Sequence, residues 1–364
     1  MLVGLLALVA GCGGEEQQGP EATSAAAGGW TVTAVARGVK PTLALDAEGN
    51  PAVTYVRQGV GGWVEFASAD DDWKPTRIAE GNYAGPADLE FDGEGRPHVA
   101  WHDHELAEVS SRYGNLVHAV REGETWEVAT ARDQGHDGFQ TSLAVGGGVV
   151  HAAGIEPVQY QTDQGVEHYV LRNGAWSVAS IGTGALEYEY DVSLALTADG
   201  LPALTYFDDR AGALVYAEEK GGSWRLERVI SGESGEFSSL ALDDAGVAHI
   251  AFSDEEGRVG YAVRVDSGWS IEEVGRGKGR TPVALALAAD GEPRIAFADR
   301  RSLSFATRDD GSWRVEQVAT AGTRPFGQRV SLALDEKGIP HLAAFELTRS
   351  KPLRGVVLYA VPAG

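Results

Sequence analysis

The chain has 364 residues, 53 acidic against 30 basic, and a formal net charge of -23. That imbalance repels phosphate backbones, and no basic stripe along the sequence offsets it, so nucleic acid is excluded as an expected partner. One cysteine, Cys12, excludes an internal disulfide, and no apolar run beyond the N-terminus is long enough to cross a bilayer. The body must therefore hold by packing alone.

The chain opens with a short apolar run, Met1 to Ala10, placed where the hydrophobic region of a secretory signal belongs. The segment Leu8-Val9-Ala10-Gly11-Cys12 resembles the bacterial lipoprotein signal. The resemblance implies that residues 1–11 are removed and that Cys12 is acylated as the new N-terminus. Each buried methylene adds about 0.8 kcal/mol of membrane affinity, so several acyl chains would make a firm membrane anchor. Residue 13 is Gly rather than Asp, which by the same resemblance favours the outer membrane of a two-membrane cell, or the cell surface where there is one membrane. Residues 12–29 lack apolar periodicity and are rich in Gly, Ala and polar residues, the composition of a flexible tether.

From Trp30 to the end, residues 30–364 repeat one unit. Between Val283 and Val318 the unit shows four short alternating runs separated by turn residues. A Leu-centred inner strand recurs at Leu43, Leu89, Leu143, Leu194, Leu240, Leu285 and Leu332, at intervals of roughly 45 to 54 residues. Four strands at that period predict an all-β chain folded as a seven-bladed β-propeller of four-stranded blades. Outer strands open at Trp73, Trp126, Trp176, Trp224, Trp269 and Trp313, one fewer than the inner strands. The missing one is supplied by Trp30 to Val35, so the N-terminal strand closes the ring and removes its open edges.

Each inner strand alternates large residues with Ala, as sheets buried on both faces require. Glu90 breaks the pattern in the second blade, where it is either paired or exposed to the central channel. The turns after the inner strands (from Asp46, Asp92, Asp243 and Asp335) have constant length, with a Gly where positive φ is wanted. Connections between second and third strands vary widely, from three residues between Asp299 and Leu303 to twelve between Asp103 and Leu116. Those loops and the connections between blades emerge on one face, which is the expected binding side.

The segment Thr307-Arg-Asp-Asp-Gly-Ser-Trp313, echoed at Asp266 to Trp269 and Arg172 to Trp176, resembles a shortened Asp-box (BNR-type) of the sialidase-like repeat propellers. The resemblance implies fold rather than activity, because the Asp-box is a structural turn. Sialidases use an arginine triad, a tyrosine nucleophile and acidic partners. This chain lacks an Arg-Ile-Pro start motif, its nearest string being Pro293-Arg-Ile-Ala296, and no catalytic residue carries over. Nor is there a nucleophile elbow, a Cys pair or a phosphate loop, and no cofactor is expected.

Four histidines, His98, His151, His249 and His341, share one repeat position and read as packing residues. His102 and His104 open the longest loop and His136 lies in the next, so this set is a weak metal candidate. Aromatics stand just before the inner strands at Tyr83, Phe139, Tyr188, Tyr190, Phe237 and Phe326. Such rings either stack on sugar faces or partner surfaces, or plug the space beneath the loops. The reading favoured by the sequence is a monomeric, lipid-anchored propeller that binds a glycan or envelope protein without catalysis. The alternative is a glycan-active enzyme, a sialidase-like hydrolase or a lyase, which needs acids and arginines on the variable face; Arg112, Arg324 and Arg329 are available.

Overall fold

The computed structural model describes residues 20–57, 62–80, 85–103, 114–132, 138–156, 165–183, 191–232, 234–350 and 353–364. Their alternating apolar runs form seven separate antiparallel sheets, each with a four-stranded blade laid from the channel outward, consecutive in sequence in all but the last blade. The first blade, for example, runs Val39–Leu45, Pro51–Arg57, Trp63–Ser68 and Thr76–Glu80. The last takes Ser331–Leu334, Pro340–Ser350 and Leu353–Pro362 from the C-terminus and Trp30–Arg37 from the N-terminus. Trp30 lies opposite Pro362 and Arg37 opposite Val356, so the N-terminal strand closes the ring as the repeat count requires.

A belt of seven ring contacts joins neighbouring blades. Each outer-strand tryptophan packs against an aromatic residue on the third strand of the preceding blade: Trp126 on Phe66, Trp176 on His118, Trp224 on His168, Trp269 on Tyr216, Trp313 on Tyr261, Trp30 on Phe305 and Trp73 on Tyr359. Centroids are 5.1 to 5.6 Å apart, and six of the seven pairs meet edge to face, the arrangement the aromatic quadrupole favours. Trp73 reaches its partner from a turn. A 3-10 turn at Ala69–Asp71 puts Asp72 and Trp73 at positive φ and delays the outer strand to Thr76, later than the sequence suggested.

The repeated histidines are packing residues, as expected. His98 and His151 lie 3.0 Å from His118 and His168, while His249 and His341 meet the hydroxyls of Tyr261 and Tyr359. Burial lowers their pKa values, to about 4 at His151 and about 3 at His118 and His168, the last two also repelled by the facing histidine.

One boundary moves. Residues 20–29 belong to the folded body rather than to a tether. The buried Glu346 carboxylate accepts from the backbone N–H of Thr23 and Ser24 and from the Thr23 hydroxyl. Ala25–Ala26 then pairs with Ala319 and Thr320, adding a fifth strand to the sixth blade. Close approach makes room for this segment only because residue 322 is Gly; a Cβ there would collide with the Thr23 carbonyl oxygen.

The face carrying the turns after the inner strands repeats one turn in four blades. Asp46, Asp92, Asp243 and Asp335 each accept, through Oδ1, the N–H groups two and four residues on, and Gly49, Gly95, Gly246 and Gly338 supply the positive φ. Those carboxylates are occupied by their own turns.

Candidate active site

A channel runs down the propeller axis, and its lining includes the core leucine of all seven inner strands. Near its mouth on the variable face, the residue before the leucine ties one blade to the next at five of the seven positions. Leu43, Leu194, Leu240 and Leu285 donate their N–H groups to the hydroxyls of Ser331, Ser142, Ser193 and Ser239 at 2.9 to 3.1 Å. In the second blade this ring position is Asp88, whose Oδ2 accepts from Leu143 at 2.8 Å. A serine would make the same link, so the carboxylate is more than the joint requires.

Asp88 has charged company. Arg329, from the connection into the seventh blade, places Nη2 4.0 Å from Asp88 Oδ1 and Nη1 3.8 Å from Asp191 Oδ1, and donates to the Thr42 hydroxyl at 3.2 Å. One guanidinium thus stands between carboxylates of the second and fourth blades. At those separations the charges attract without direct hydrogen bonds. The buried Arg329 Nε has no partner among the described residues, a donor that an incoming oxygen would satisfy.

Burial pushes the Asp88 and Asp191 carboxyls above the usual range, with Arg329 opposing the shift in both. Lys40 is lowered to about 8, first by burial and then by Arg329. Its backbone has φ 54°, and the inner strand bulges between Val39 and Thr42. Gln140, at the same repeat position in the third blade, shares both the positive φ and the bulge. Non-glycine residues hold that conformation at a cost of about 1 to 2 kcal/mol, and such strain gathers at functional sites. Glu90 faces the channel and forms no ion pair among the described residues, which resolves the two readings of this position in favour of the channel. Solvent reaches it only inside a protein-walled space; confinement and the Asp88 charge push its carboxyl up to about 8.

The other sequence candidates fare differently. Cys12, Tyr83, His104, Arg112, His136, Tyr188 and Tyr190 lie outside the described residues. His102 is fully buried, its ring edge-on to Phe139 at 5.4 Å, rather than exposed at the start of a loop. Phe237 and Phe326 are 4% and 1% exposed and belong to apolar clusters, so they plug the space beneath the loops and offer no free ring face. Phe139 is half-buried beside the third-blade core. Among the described residues no group of three or more His, Cys, Asp or Glu gathers as a metal site.

Arg329 was legible as an arginine on the variable face, but Asp88, Asp191 and Lys40 were missed. Asp88 could have been found by aligning the residue before each core leucine: Thr42, Asp88, Ser142, Ser193, Ser239, Ala284 and Ser331. Asp191 and Lys40 lie in connections whose path the repeat pattern leaves open.

No family model and no curated protein matches the chain. Solved propellers do match in fold. A polysaccharide lyase, ulvan lyase of family PL25, superposes with a TM-score of 0.64 at 12% identity, over 90% of this chain and 94% of that one. The α-L-arabinofuranosidase Arb93A from Fusarium graminearum gives 0.53 at 15% identity, over 77% and 93%. The fucose-binding Aleuria aurantia lectin gives 0.54 at 12% identity, over 78% and 96%. At these identities the likeness shows the fold, a seven-bladed all-β propeller akin to glycan-active propellers. It also corrects the sequence reading of a non-catalytic binding module, because solved propellers of this shape include a lyase and a glycosidase as well as a lectin.

Proposed function

We propose that this protein is a glycan-active enzyme that cleaves a glycosidic bond by acid–base chemistry at the channel mouth. The observation that carries the reading is Arg329 standing between two burial-raised carboxylates from different blades. Cleavage requires one group that gives a proton to the leaving oxygen and another that takes one from water or from sugar carbon. Asp88 and Asp191, both held above the usual carboxylate range by burial and standing on either side of one guanidinium, suit that exchange, and Arg329 suits the orientation of a substrate oxygen or carboxylate. Fold-level analogy to the lyase and the arabinofuranosidase supports the same reading without selecting a substrate.

The test is turnover of a polysaccharide panel by the wild type, Asp88→Ser and Asp191→Asn. Serine keeps the link to Leu143 that four other blades already make with Ser, so Asp88→Ser should fold and lose activity. New reducing ends alone would mark hydrolysis; an ultraviolet-absorbing unsaturated product would mark elimination. Full activity in both variants would overturn the assignment.

The lipoprotein resemblance at Cys12 supports a second part of the proposal, that the enzyme is tethered at the outer membrane or cell surface. Cys12→Ser protein should then appear in the soluble fraction. Processed Cys12→Ser protein that still sediments with membranes would remove the anchor.

A further inference from the structure

A second concavity opens on the variable face, between the first and seventh blades. It is a cleft of about 560 Å³, of the size that holds an oligosaccharide fragment. Its charge is opposite to that of the chain. Arg37, Arg57, Arg324 and Arg354 line it with Glu21 as the one acid, in a protein where acids outnumber bases 53 to 30.

The contacts of Arg57 and Arg324 leave carboxylates shared or at a distance. Arg57 lies 3.4 Å from Glu65, whose same oxygen accepts the Trp63 indole N–H at 2.7 Å. Arg324 donates to the Glu21 carbonyl at 3.0 Å and stands 4.0 Å from Glu346, a carboxylate already committed to Thr23 and Ser24. Trp63 sits at the cleft wall with the Arg77 guanidinium 4.2 Å from its ring centre. Above this, Arg349 and Arg354 face each other as cross-strand partners in the last hairpin. Like charges directly opposite are mildly unfavourable in a sheet, and an anion between them would relieve the repulsion.

The cleft is also continuous in sequence with the channel mouth. Arg37, Gly38 and Val39 line the cleft and Lys40 and Thr42 stand at the mouth, on one stretch of chain; Arg324 and Arg329 do the same on another. We infer that the cleft is a subsite for an acidic glycan, one bearing carboxylate or sulfate groups, and that it holds the chain as it passes to the channel mouth. The inference rests on the glycan-active reading and adds the substrate class. Guanidinium forks match carboxylate and sulfate oxygens. A flat anionic membrane would meet a convex basic patch better than this recess.

The experiment measures binding of the full-length Asp88→Ser protein, which removes turnover, to dextran sulfate, oligogalacturonate and uncharged dextran. Arg37→Gln with Arg354→Gln, added to Asp88→Ser, should weaken binding to the two charged glycans by about tenfold or more, roughly 1.4 kcal/mol, and flatten its salt dependence. Uncharged dextran should be unaffected. Unchanged affinity for the charged glycans would overturn the subsite, as would an arginine-dependent binding confined to anionic phospholipid vesicles. A wild type that binds acidic glycans through these arginines yet cleaves none would instead remove the enzyme reading and leave the subsite standing.

Discussion

The tryptophan belt and the ring at the channel mouth are built by the same sevenfold repeat, and only one keeps it. At the belt every blade places an indole on a ring of its neighbour, and even Trp73, displaced into a turn, reaches Tyr359. At the mouth the repeat position holds serine or threonine in five blades, Ala284 in one and Asp88 in another. Packing rewards uniformity because each contact closes one interface of a closed ring. The proposed chemistry would require the symmetry to break, because one substrate on one axis needs unlike groups around it.

The contrast can be broken first at the belt. Trp30→Ala should lower stability by about 3 to 5 kcal/mol, since it removes a buried ring from the closing strand. Denaturant unfolding reads this directly, and an unmoved midpoint would mean that the Trp30 contact does not help close the ring. A smaller effect lies in the two histidines of the belt. His118 and His168 stay neutral in the fold down to about pH 3 but protonate at about 6.5 when unfolded. Their folded pKa values are lowered, so their contribution is present above pH 6.5 and is lost as pH falls toward 3. Replacing both with Phe, as the first and sixth blades carry, should flatten the fall in melting temperature between pH 7 and pH 4. An equally steep fall would assign acid sensitivity elsewhere.

At the mouth the sign reverses. Asp88→Ser exchanges a raised carboxylate for the residue common at this position and should raise stability by about 1 kcal/mol while activity disappears, the trade expected of a catalytic group. A stability loss of similar size would make Asp88 a structural element. Least of all, Glu90→Ala should remove a pH slope. The Glu90 carboxyl is at about 8 in the fold against 4.5 unfolded, so stability falls as pH rises between those values. The variant should therefore gain more in melting temperature at pH 9 than at pH 4.

The blades were legible because leucine spacing, turn length and tryptophan placement recur, and a repeat reports itself through redundancy. The ring closure by Trp30 followed from counting two strand types independently. Trp73 misled because an insertion at Ala69 to Asp72 moves a residue out of a strand without moving it out of its contact. Phe237 and Phe326 misled because the position before an inner strand can point under the loops as well as over them. The basic cleft was invisible for another reason: Arg37, Arg57, Arg324 and Arg354 lie at opposite ends of the chain, and only ring closure brings them together. Composition averaged their charge away.

The N-terminal segment gives the closed ring a mechanical order of failure. A pull on residue 20 loads the Glu346 latch on Thr23 and Ser24 first, then the two-residue pairing of Ala25 and Ala26, and only then the eight-residue strand from Trp30 to Arg37. The weak joints stand in series ahead of the strong one and act as fuses. Force applied at residue 20 would thus peel the edge of the sixth blade before it opened the ring. Without force, thermal opening of the latch would let the segment beside Arg324 release and reseat while the propeller stays shut.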